Sequence, residues 1–200
     1  MAVEVLSGLR LDDALAQLVT QPLGLHDTYF LPVGEHCSAQ VAPTEFCTWR
    51  QRRLRAEVHD ENAWALGGVS GHAGLFSAAA EMARFGQIFL DGGAPLLSAE
   101  SVAEMTRVQS QEGNTRRGLG FALWSADPQA SGNPFSEQAF GHTGFTGTSL
   151  WIDPQRDLVV ALLTNEVYFG RTNRGIMPLR VAVHRAVVEA VSQSTVGSEQ

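Results

Sequence analysis

A glycine-rich turn that leads into two hydrophobic stretches constrains the fold of this chain more than any other feature. Gly141, Gly144 and Gly147 fall within seven residues, and glycine permits tight turns and the close approach of neighbouring groups. Residues 148–152 alternate with the period of a half-buried strand, and 158–164 form a continuous apolar run. Asp and Pro between these runs are typical turn residues, so we predict an antiparallel hairpin.

Amphipathic helices are predicted on both sides of this hairpin in the sequence. Apolar residues recur every three to four positions over the ranges 9–20, 79–90, 98–108 and 178–191. Ser77 and Ser98 precede two of these ranges and are the predicted N-caps. Pro178 suits the first turn of the last helix, where its missing N–H costs nothing.

The remaining segments complete a predicted α+β fold, with an antiparallel sheet flanked by helices. Residues 118–125 alternate and predict one more strand, 109–117 are predicted to be a polar loop, and 32–66 show no regular period. An irregular segment of that length is usually functional or mobile. We predict a single domain over 1–200, divided into a mostly helical and loop part at 10–117 and a part with the strands and last helix at 118–191.

Charge and hydropathy limit the partners of the chain. The net charge of −7 and the lack of a basic stripe argue against a nucleic-acid partner. The four arginines within 50–55 are followed by acidic residues, so we predict a solvated loop there. No apolar run approaches the roughly 18 residues of a membrane-spanning helix. The first residues lack the basic and apolar regions of a signal peptide.

Two residue types limit the chemistry. The chain contains no lysine, so all 14 cationic residues are arginine. A mechanism that needs a lysine general base is therefore unavailable to these 200 residues alone. Cys37 and Cys47 lie ten positions apart in the irregular segment, and both a disulfide and two free thiols are compatible with that spacing.

Three segments, in order, resemble one enzyme family. His-Thr-Gly-Phe-Thr-Gly-Thr at 142–148, followed by a hairpin, resembles the third motif of serine β-lactamases, penicillin-binding proteins and related esterases. The His form of that motif is similar to the class C-like branch, which includes esterases and D-amino-acid peptidases. Residues 58–77 resemble the glycine-rich stretch of the family, and 5–28 resemble the segment that follows its second motif.

The chain also departs from the family pattern. The Ser-x-x-Lys motif of the nucleophile cannot occur without lysine, and neither Tyr29 nor Tyr168 begins a Tyr-x-Asn motif. The resemblance thus implies the C-terminal part of a β-lactamase/transpeptidase-like domain whose N-terminal portion is missing. We expect such a part to be inactive, or nearly so, when alone.

The resemblance assigns roles to four neighbouring residues. In this family a serine attacks an acyl carbonyl, and two backbone N–H groups hold the oxyanion. By resemblance, Phe145 supplies one of these N–H groups and His142 lies near the base system, which makes these the candidate catalytic residues. Thr143 and Gly144 are the candidate substrate-binding residues. The implied substrate is a small ester, amide or β-lactam, with no metal and no cofactor.

Two other hypotheses remain at this point. One is a non-catalytic interaction fragment with an exposed sheet edge, paired with an N-terminal complementing chain or with a second copy. The other is an independent hydrolase that uses Ser70 as nucleophile or a metal held by His59 and His72. No strand is predicted to lead into Ser70, as a nucleophile elbow requires, and the histidine spacing matches no zinc signature.

Overall fold

The fold is described from a computed structural model that defines residues 2–31, 40–172 and 175–197. Its strands are Tyr29–Phe30 (β1), Phe46–Cys47 (β2), Arg52–Arg53 (β3), Leu75–Phe76 (β4), Ser110–Glu112 (β5), Thr115–Arg117 (β6), Ala122–Leu123 (β7), Phe140–Thr143 (β8), Ser149–Asp153 (β9) and Leu158–Leu162 (β10). Six strands form one antiparallel sheet in the order β10-β9-β8-β7-β6-β5. β1 pairs with β4, and β2 pairs with β3.

The helices precede and follow this sheet in the chain. They are Ala2–Ser7 (α1), Leu11–Leu15 (α2), Gln21–Leu23 (α3), Glu61–Ala65 (α4), Ala79–Leu90 (α5), Ala99–Thr106 (α6) and Ile176–Gly197 (α7). A π-helix at Ala16–Thr20 joins α2 to α3, and 3₁₀ turns occupy Pro154–Arg156 and Glu166–Phe169. Within the part of the chain that the structure describes, no helix is both long and apolar enough to cross a membrane.

The four predicted helices are present, but the last one runs from Ile176 to Gly197 and not over 178–191, and one of the two predicted caps is wrong. The predicted helix over 9–20 is the run from α2 to α3, which ends at Gly24 in the left-handed conformation (φ 62°). Ser98 caps α6 by accepting a hydrogen bond from the Ser101 N–H at 3.2 Å. Ser77 is not the cap of α5, because Ala78 occupies that position. The Ser77 hydroxyl lies instead 2.8 Å from the hydroxyl of Thr28.

The predicted hairpin is confirmed, whereas the strands before it are not where we expected them. β9 and β10 pair from Ser149 with Leu162 to Asp153 with Leu158. The predicted polar loop over 109–117 is the β5–β6 hairpin, and the predicted strand over 118–125 is shortened to β7. The side chains of β5 are all exposed, so no apolar alternation marks this edge hairpin in the sequence.

Helices cover both faces of the sheet. The first apolar cluster, beneath α5, consists of Ile88, Phe89, Leu123, Phe140 and Ile152. The second, with Val187 and Val188 of α7 packed against it, consists of Phe135, Ala139, Trp151 and Val160. Successive strand residues point to opposite faces, so Ile152 packs under α5 while Trp151 packs under α7. This arrangement confirms an α+β fold with an antiparallel sheet between helices.

The two predicted cysteine arrangements involve a residue outside the described ranges. Cys47 is buried in β2, and its sulfur accepts a hydrogen bond from the Arg50 N–H at 3.4 Å. Cys37 lies outside the described residues, so both arrangements stay predictions.

His184 makes the stability of the fold depend on pH. This α7 side chain is fully buried, and its Nδ1 lies 2.7 Å from the Ser131 carbonyl oxygen, to which an N–H there donates. Burial lowers the pKa of His184 and the nearby Arg180 lowers it further, while the Ser131 carbonyl opposes this shift. The unfolded chain therefore binds more protons than the folded one below the ordinary imidazole pKa of about 6.5.

We expect the free energy of unfolding to fall as the pH is lowered from 7 to 5. One such proton contributes at most about 1.4 kcal/mol per pH unit. His184→Asn keeps an N–H that can face Ser131 but cannot take up a proton, so it should flatten the profile. His26→Asn, at an exposed site, is the matched control. Urea denaturation between pH 5 and 8 checks this, and an unchanged slope in His184→Asn would contradict it.

Candidate active site

The candidate site is built around the turn that joins β8 to β9. The Gly144 N–H donates to the Thr148 carbonyl at 2.7 Å, and the Gly147 N–H donates to the Gly144 carbonyl at 3.1 Å. The Thr164 hydroxyl donates to the Gly147 carbonyl at 2.8 Å. The turn is therefore closed by its own backbone and attached to the segment that follows β10.

The glycines of this turn are required by its internal packing. Gly147 has a φ of 112°, and a Cβ at this position would clash with the Thr164 hydroxyl and lie 3.0 Å from the Glu166 nitrogen. A Cβ at Gly144 would clash with the Thr148 hydroxyl. The space at Gly144 is thus taken up by the turn itself, and the predicted approach of substrate to this residue stays a prediction.

Arg180 of α7 forms hydrogen bonds to the backbone of the turn. Its guanidinium Nη2 donates to the carbonyl oxygens of Gly144 at 3.1 Å and Thr148 at 2.7 Å. Arg180 is only 3% exposed. Hydrogen bonds from a charged donor are stronger than neutral ones, so Arg180 links α7 firmly to the turn that follows β8.

His142 and Thr143, at the end of β8, differ in their surroundings. The His142 ring is exposed, and its Nδ1 lies 2.8 Å from the Thr143 carbonyl oxygen. Because a carbonyl only accepts, this contact places a proton on Nδ1 and leaves Nε2 of the neutral ring as an acceptor. The half-buried Thr143 side chain lines a cavity of about 420 Å³ together with Arg116, Arg117 and Asp127.

One backbone edge of β8 continues beyond its neighbour. β9 pairs with all four residues of β8, up to Thr143. On the other side, β7 pairs only with Phe140 and Gly141. The backbone groups of His142 and Thr143 on the side that faces away from β9 are therefore not paired with β7.

Phe145 stands at the tip of the turn and packs on His59. Their ring centroids are 5.7 Å apart with an interplanar angle of 29°. The Arg171 guanidinium lies 5.7 Å from the centroid of the Phe145 ring. Phe145 is 52% exposed, so about half of its surface stays accessible although its ring packs on His59.

A charged cluster supports this platform. Arg171 donates to the buried Glu45 through Nε at 2.8 Å and through Nη2 at 2.6 Å, and it also donates to Glu61 of α4 at 2.5 Å. His59 Nε2 lies 3.1 Å from Glu45 Oε1. Segments far apart in sequence thus meet beneath Phe145.

Burial and the arginine determine the charge states in this cluster. Burial lowers the pKa of His59, and the Glu45 carboxylate opposes that shift. Burial raises the pKa of Glu45, but the hydrogen bonds and charge of Arg171 outweigh it, so the pKa of this carboxyl lies below its ordinary value. At neutral pH Phe145 therefore rests on an uncharged imidazole beside an ion pair.

The arginines at 50–55 do not all lie in a solvated loop, and the prediction for Arg50 is wrong. Arg50 is buried and donates to the carbonyls of Val58 at 2.7 Å and His59 at 3.3 Å. Arg52 and Arg53 are exposed, as predicted, but they form strand β3 and not a loop. The local sequence does not indicate this burial, because the neighbours of Arg50 are solvated while its own partners lie eight and nine residues ahead.

A second group of polar side chains surrounds Ser70. The Ser70 hydroxyl oxygen lies 2.8 Å from His72 Nδ1, and His72 Nε2 lies 3.0 Å from Asp60 Oδ1. Asp60 also caps α4 by accepting from the Ala63 N–H at 2.8 Å. His59 and His72 thus have different partners, and in residues 2–31, 40–172 and 175–197 no group of three or more His, Cys, Asp or Glu could hold a metal ion.

The structure therefore brings two of the predicted site residues into contact and shows further residues at the candidate site. His59, considered as a metal ligand, lies against Phe145, considered as an oxyanion donor. Sequence reasoning missed Arg180, Arg171 and Glu45. Glu45 and Arg171 lie 126 residues apart, so no local pattern indicates their contact. The lack of regular period over 32–66 was the one signal that this segment is special.

Comparisons with known proteins indicate a single protein family. The family model described as Beta-lactamase matches residues 1–182. A protein of Salmonella schwarzengrund named "Putative D-alanyl-D-alanine carboxypeptidase" is 35% identical over 198 residues, which cover 88% of this chain and 45% of that protein. The chain thus spans about half the length of the relatives that it matches.

Solved structures show the same fold at lower identity. A simvastatin synthase mutant from Aspergillus terreus has a TM-score of 0.70 at 19% identity, over 95% of this chain and 53% of its own. A hydrolase with promiscuous acyltransferase activity, EstCE1, has a TM-score of 0.62 at 22% identity, over 92% of this chain and 52% of its own. Likeness at this identity supports the fold alone.

Proposed function

Because this chain belongs to the β-lactamase family of serine hydrolases, we propose that it forms one wall of a site that hydrolyses small acyl compounds through an acyl-serine. The open edge of β8 at His142 and Thr143 carries this proposal. A bound acyl group can lie along that edge and accept hydrogen bonds from backbone N–H groups. The nucleophile comes from polypeptide outside these 200 residues, since the chain has no lysine and hence no Ser-x-x-Lys motif.

Three residues of the wall take distinct roles in this proposal. The backbone N–H of Phe145 points to the oxyanion as the carbonyl carbon becomes tetrahedral, where fixed donors lower the barrier most. His142 Nε2, as an exposed acceptor, takes part in proton transfer. Arg180 keeps both in place through the turn carbonyls.

The lining of the cavity at Thr143 suggests the substrate class. Arg116 and Arg117 outnumber the single acidic residue, Asp127, in that lining, so it favours a negatively charged group. A peptide C-terminus and a β-lactam each carry a carboxylate close to the reacting carbonyl. D-Alanyl-D-alanine peptides are our preferred class, because the Salmonella relative at 35% identity carries that activity in its name.

The surface of α1 favours an additional polypeptide partner. Val5 is 82% exposed and Leu6 is 88% exposed, and burial of each such side chain is worth about 1.5–3 kcal/mol. We propose that the segment with the nucleophile covers this face. A second copy of the chain is the competing occupant, and sedimentation of the purified chain as a monomer would argue against it.

Acylation by penicillin tests this proposal. We would join the part of the Salmonella relative that precedes the matched region to residue 1 of this chain, so that association is not a variable. A fluorescent penicillin should label the chimera on its Ser-x-x-Lys serine and should not label the 200-residue chain alone.

The Thr143 hydroxyl provides a graded test in the same chimera. Thr143→Val should slow the labelling about tenfold, the effect of losing roughly one hydrogen bond of 1.4 kcal/mol. Thr146→Val, within the neighbouring turn, is the matched control and should leave the rate unchanged. A folded chimera that shows no adduct would overturn the proposal.

A further inference from the structure

Ser70, His72 and Asp60 form a continuous hydrogen-bonded chain at a distance from β8 in the sequence. Asp60 accepts from His72 Nε2 at 3.0 Å, and a carboxylate only accepts, so the proton of the neutral ring lies on Nε2. Nδ1 is then the acceptor for the Ser70 hydroxyl at 2.8 Å. This is the arrangement in which an imidazole acts as a general base for a serine.

The charge of Asp60 is secured independently of His72. The hydrogen bond from the Ala63 N–H lowers the pKa of Asp60 most, burial opposes that shift, and His72 lowers the pKa further. Asp60 is therefore a carboxylate at neutral pH. It orients the ring and stabilises the imidazolium that forms when Ser70 gives up its proton.

An apolar cavity opens beside this serine. It has a volume of about 480 Å³, and Ser70 and His72 lie in its lining with Leu11, Leu15, Leu18 and Leu75. Pockets of 300–1,000 Å³ with mostly apolar walls and a few polar groups are typical of small-molecule sites. Among the described residues that line the cavity, none is Asp, Glu, Lys or Arg, so this lining favours an apolar acyl group.

We propose that Ser70, His72 and Asp60 form a second nucleophilic site, which hydrolyses small esters with an apolar acyl chain. The Ser70 oxygen bonds to the acyl carbon, and its proton passes to His72 Nδ1. The bond from the acyl carbon to the alcohol oxygen then breaks, and the alcohol leaves with that proton. Water cleaves the acyl-serine by the same route, which releases the carboxylic acid and restores the serine.

The proposal is independent of the acyl-serine chemistry proposed above. That chemistry uses a serine outside these 200 residues, whereas Ser70 is on the loop before β4. Ser70→Ala in the penicillin chimera should therefore leave penicillin labelling unchanged. Failure of either proposal can be recognised without reference to the other.

The test is a reaction of the 200-residue chain with an alkyl fluorophosphonate, in which the serine oxygen displaces fluoride from phosphorus. Intact mass and peptide mapping should show one adduct, on Ser70. Ser70→Ala should abolish the adduct, and Ser110→Ala, at an exposed serine of β5, should not. His72→Asn should lower the labelling rate about 100-fold, as loss of a general base does.

Ester hydrolysis provides the second measurement. A p-nitrophenyl ester with a four-carbon acyl chain should be cleaved faster than the acetate, and Ser70→Ala should remove the difference. Circular dichroism would confirm that each variant is folded. The absence of an adduct on the folded chain, adducts spread over several serines, or an unchanged rate in His72→Asn would each overturn the proposal.

Discussion

Replacing Asp153 by alanine is expected to lower the free energy of unfolding by about 3–5 kcal/mol, because it leaves two buried donors of Ser136 without an acceptor, at about 1–3 kcal/mol each. Asp153 ends β9 and is fully buried. Its carboxylate accepts from the Ser136 N–H at 2.9 Å, from the Ser136 hydroxyl at 2.5 Å and from Arg156 at 2.8 Å. Alanine would leave these donors without their acceptor, and buried donors without partners are costly.

Two variants separate this mechanism from a general loss of negative charge. Asp153→Asn keeps an acceptor for Ser136 but not the charge for Arg156, so it should be intermediate. Asp13→Ala removes an exposed acid from the first turn of α2 and should cost less than about 1 kcal/mol. Urea denaturation gives all three values. A loss below 1 kcal/mol in Asp153→Ala would mean that water replaces the carboxylate at little cost.

Replacing Arg180 by methionine is expected to damage both the turn and the acylation. Methionine keeps much of the packing of the side chain but leaves the carbonyls of Gly144 and Thr148 without their charged donor. Each such bond is worth about 1.5–3 kcal/mol. A displacement of about 1 Å in a catalytic group can cost 100-fold in rate. We therefore expect the penicillin labelling of the chimera to slow by about that factor.

Arg185 offers a matched control for this prediction. It lies on the same helix and is exposed, so Arg185→Met changes the charge of α7 without touching the turn. Labelling and thermal unfolding should be measured on both variants. A folded Arg180→Met chimera that is labelled at the normal rate would show that the turn does not need this support.

The elements that could be predicted from the sequence are those whose side chains carry the periodic signal themselves. The β9–β10 hairpin is predicted by the alternation over 148–152 and the apolar run over 158–164, although β9 is buried on both faces and not half-buried. The β5–β6 hairpin was missed because backbone hydrogen bonds hold it while its side chains lie in solvent. The prediction of Ser77 as a cap is wrong because no local pattern indicates that its hydroxyl lies against Thr28.

The motif at 142–145 indicates where the candidate site lies in the sequence. The contacts that surround this motif cannot be inferred from it. A turn with His-Thr-Gly is visible as a local pattern, whereas the support of Phe145 by His59 depends on how two distant loops meet. The Ser70 contact with His72 spans only two residues. Even so, it required the actual backbone angles of the loop, and its third member, Asp60, lies twelve residues from His72.

The contacts that support the turn and Phe145 differ in how many residues of chain they close, and this difference affects the order in which the protein folds. Arg180 reaches Gly144 across 36 residues, while Arg171 reaches Glu45 across 126. Closing a longer loop costs more entropy, and contacts distant in sequence slow folding. A newly made chain would thus complete the sheet and its turn first and the platform under Phe145 last. On heating, we expect the contact between Arg171 and Glu45 to be lost before the sheet unfolds.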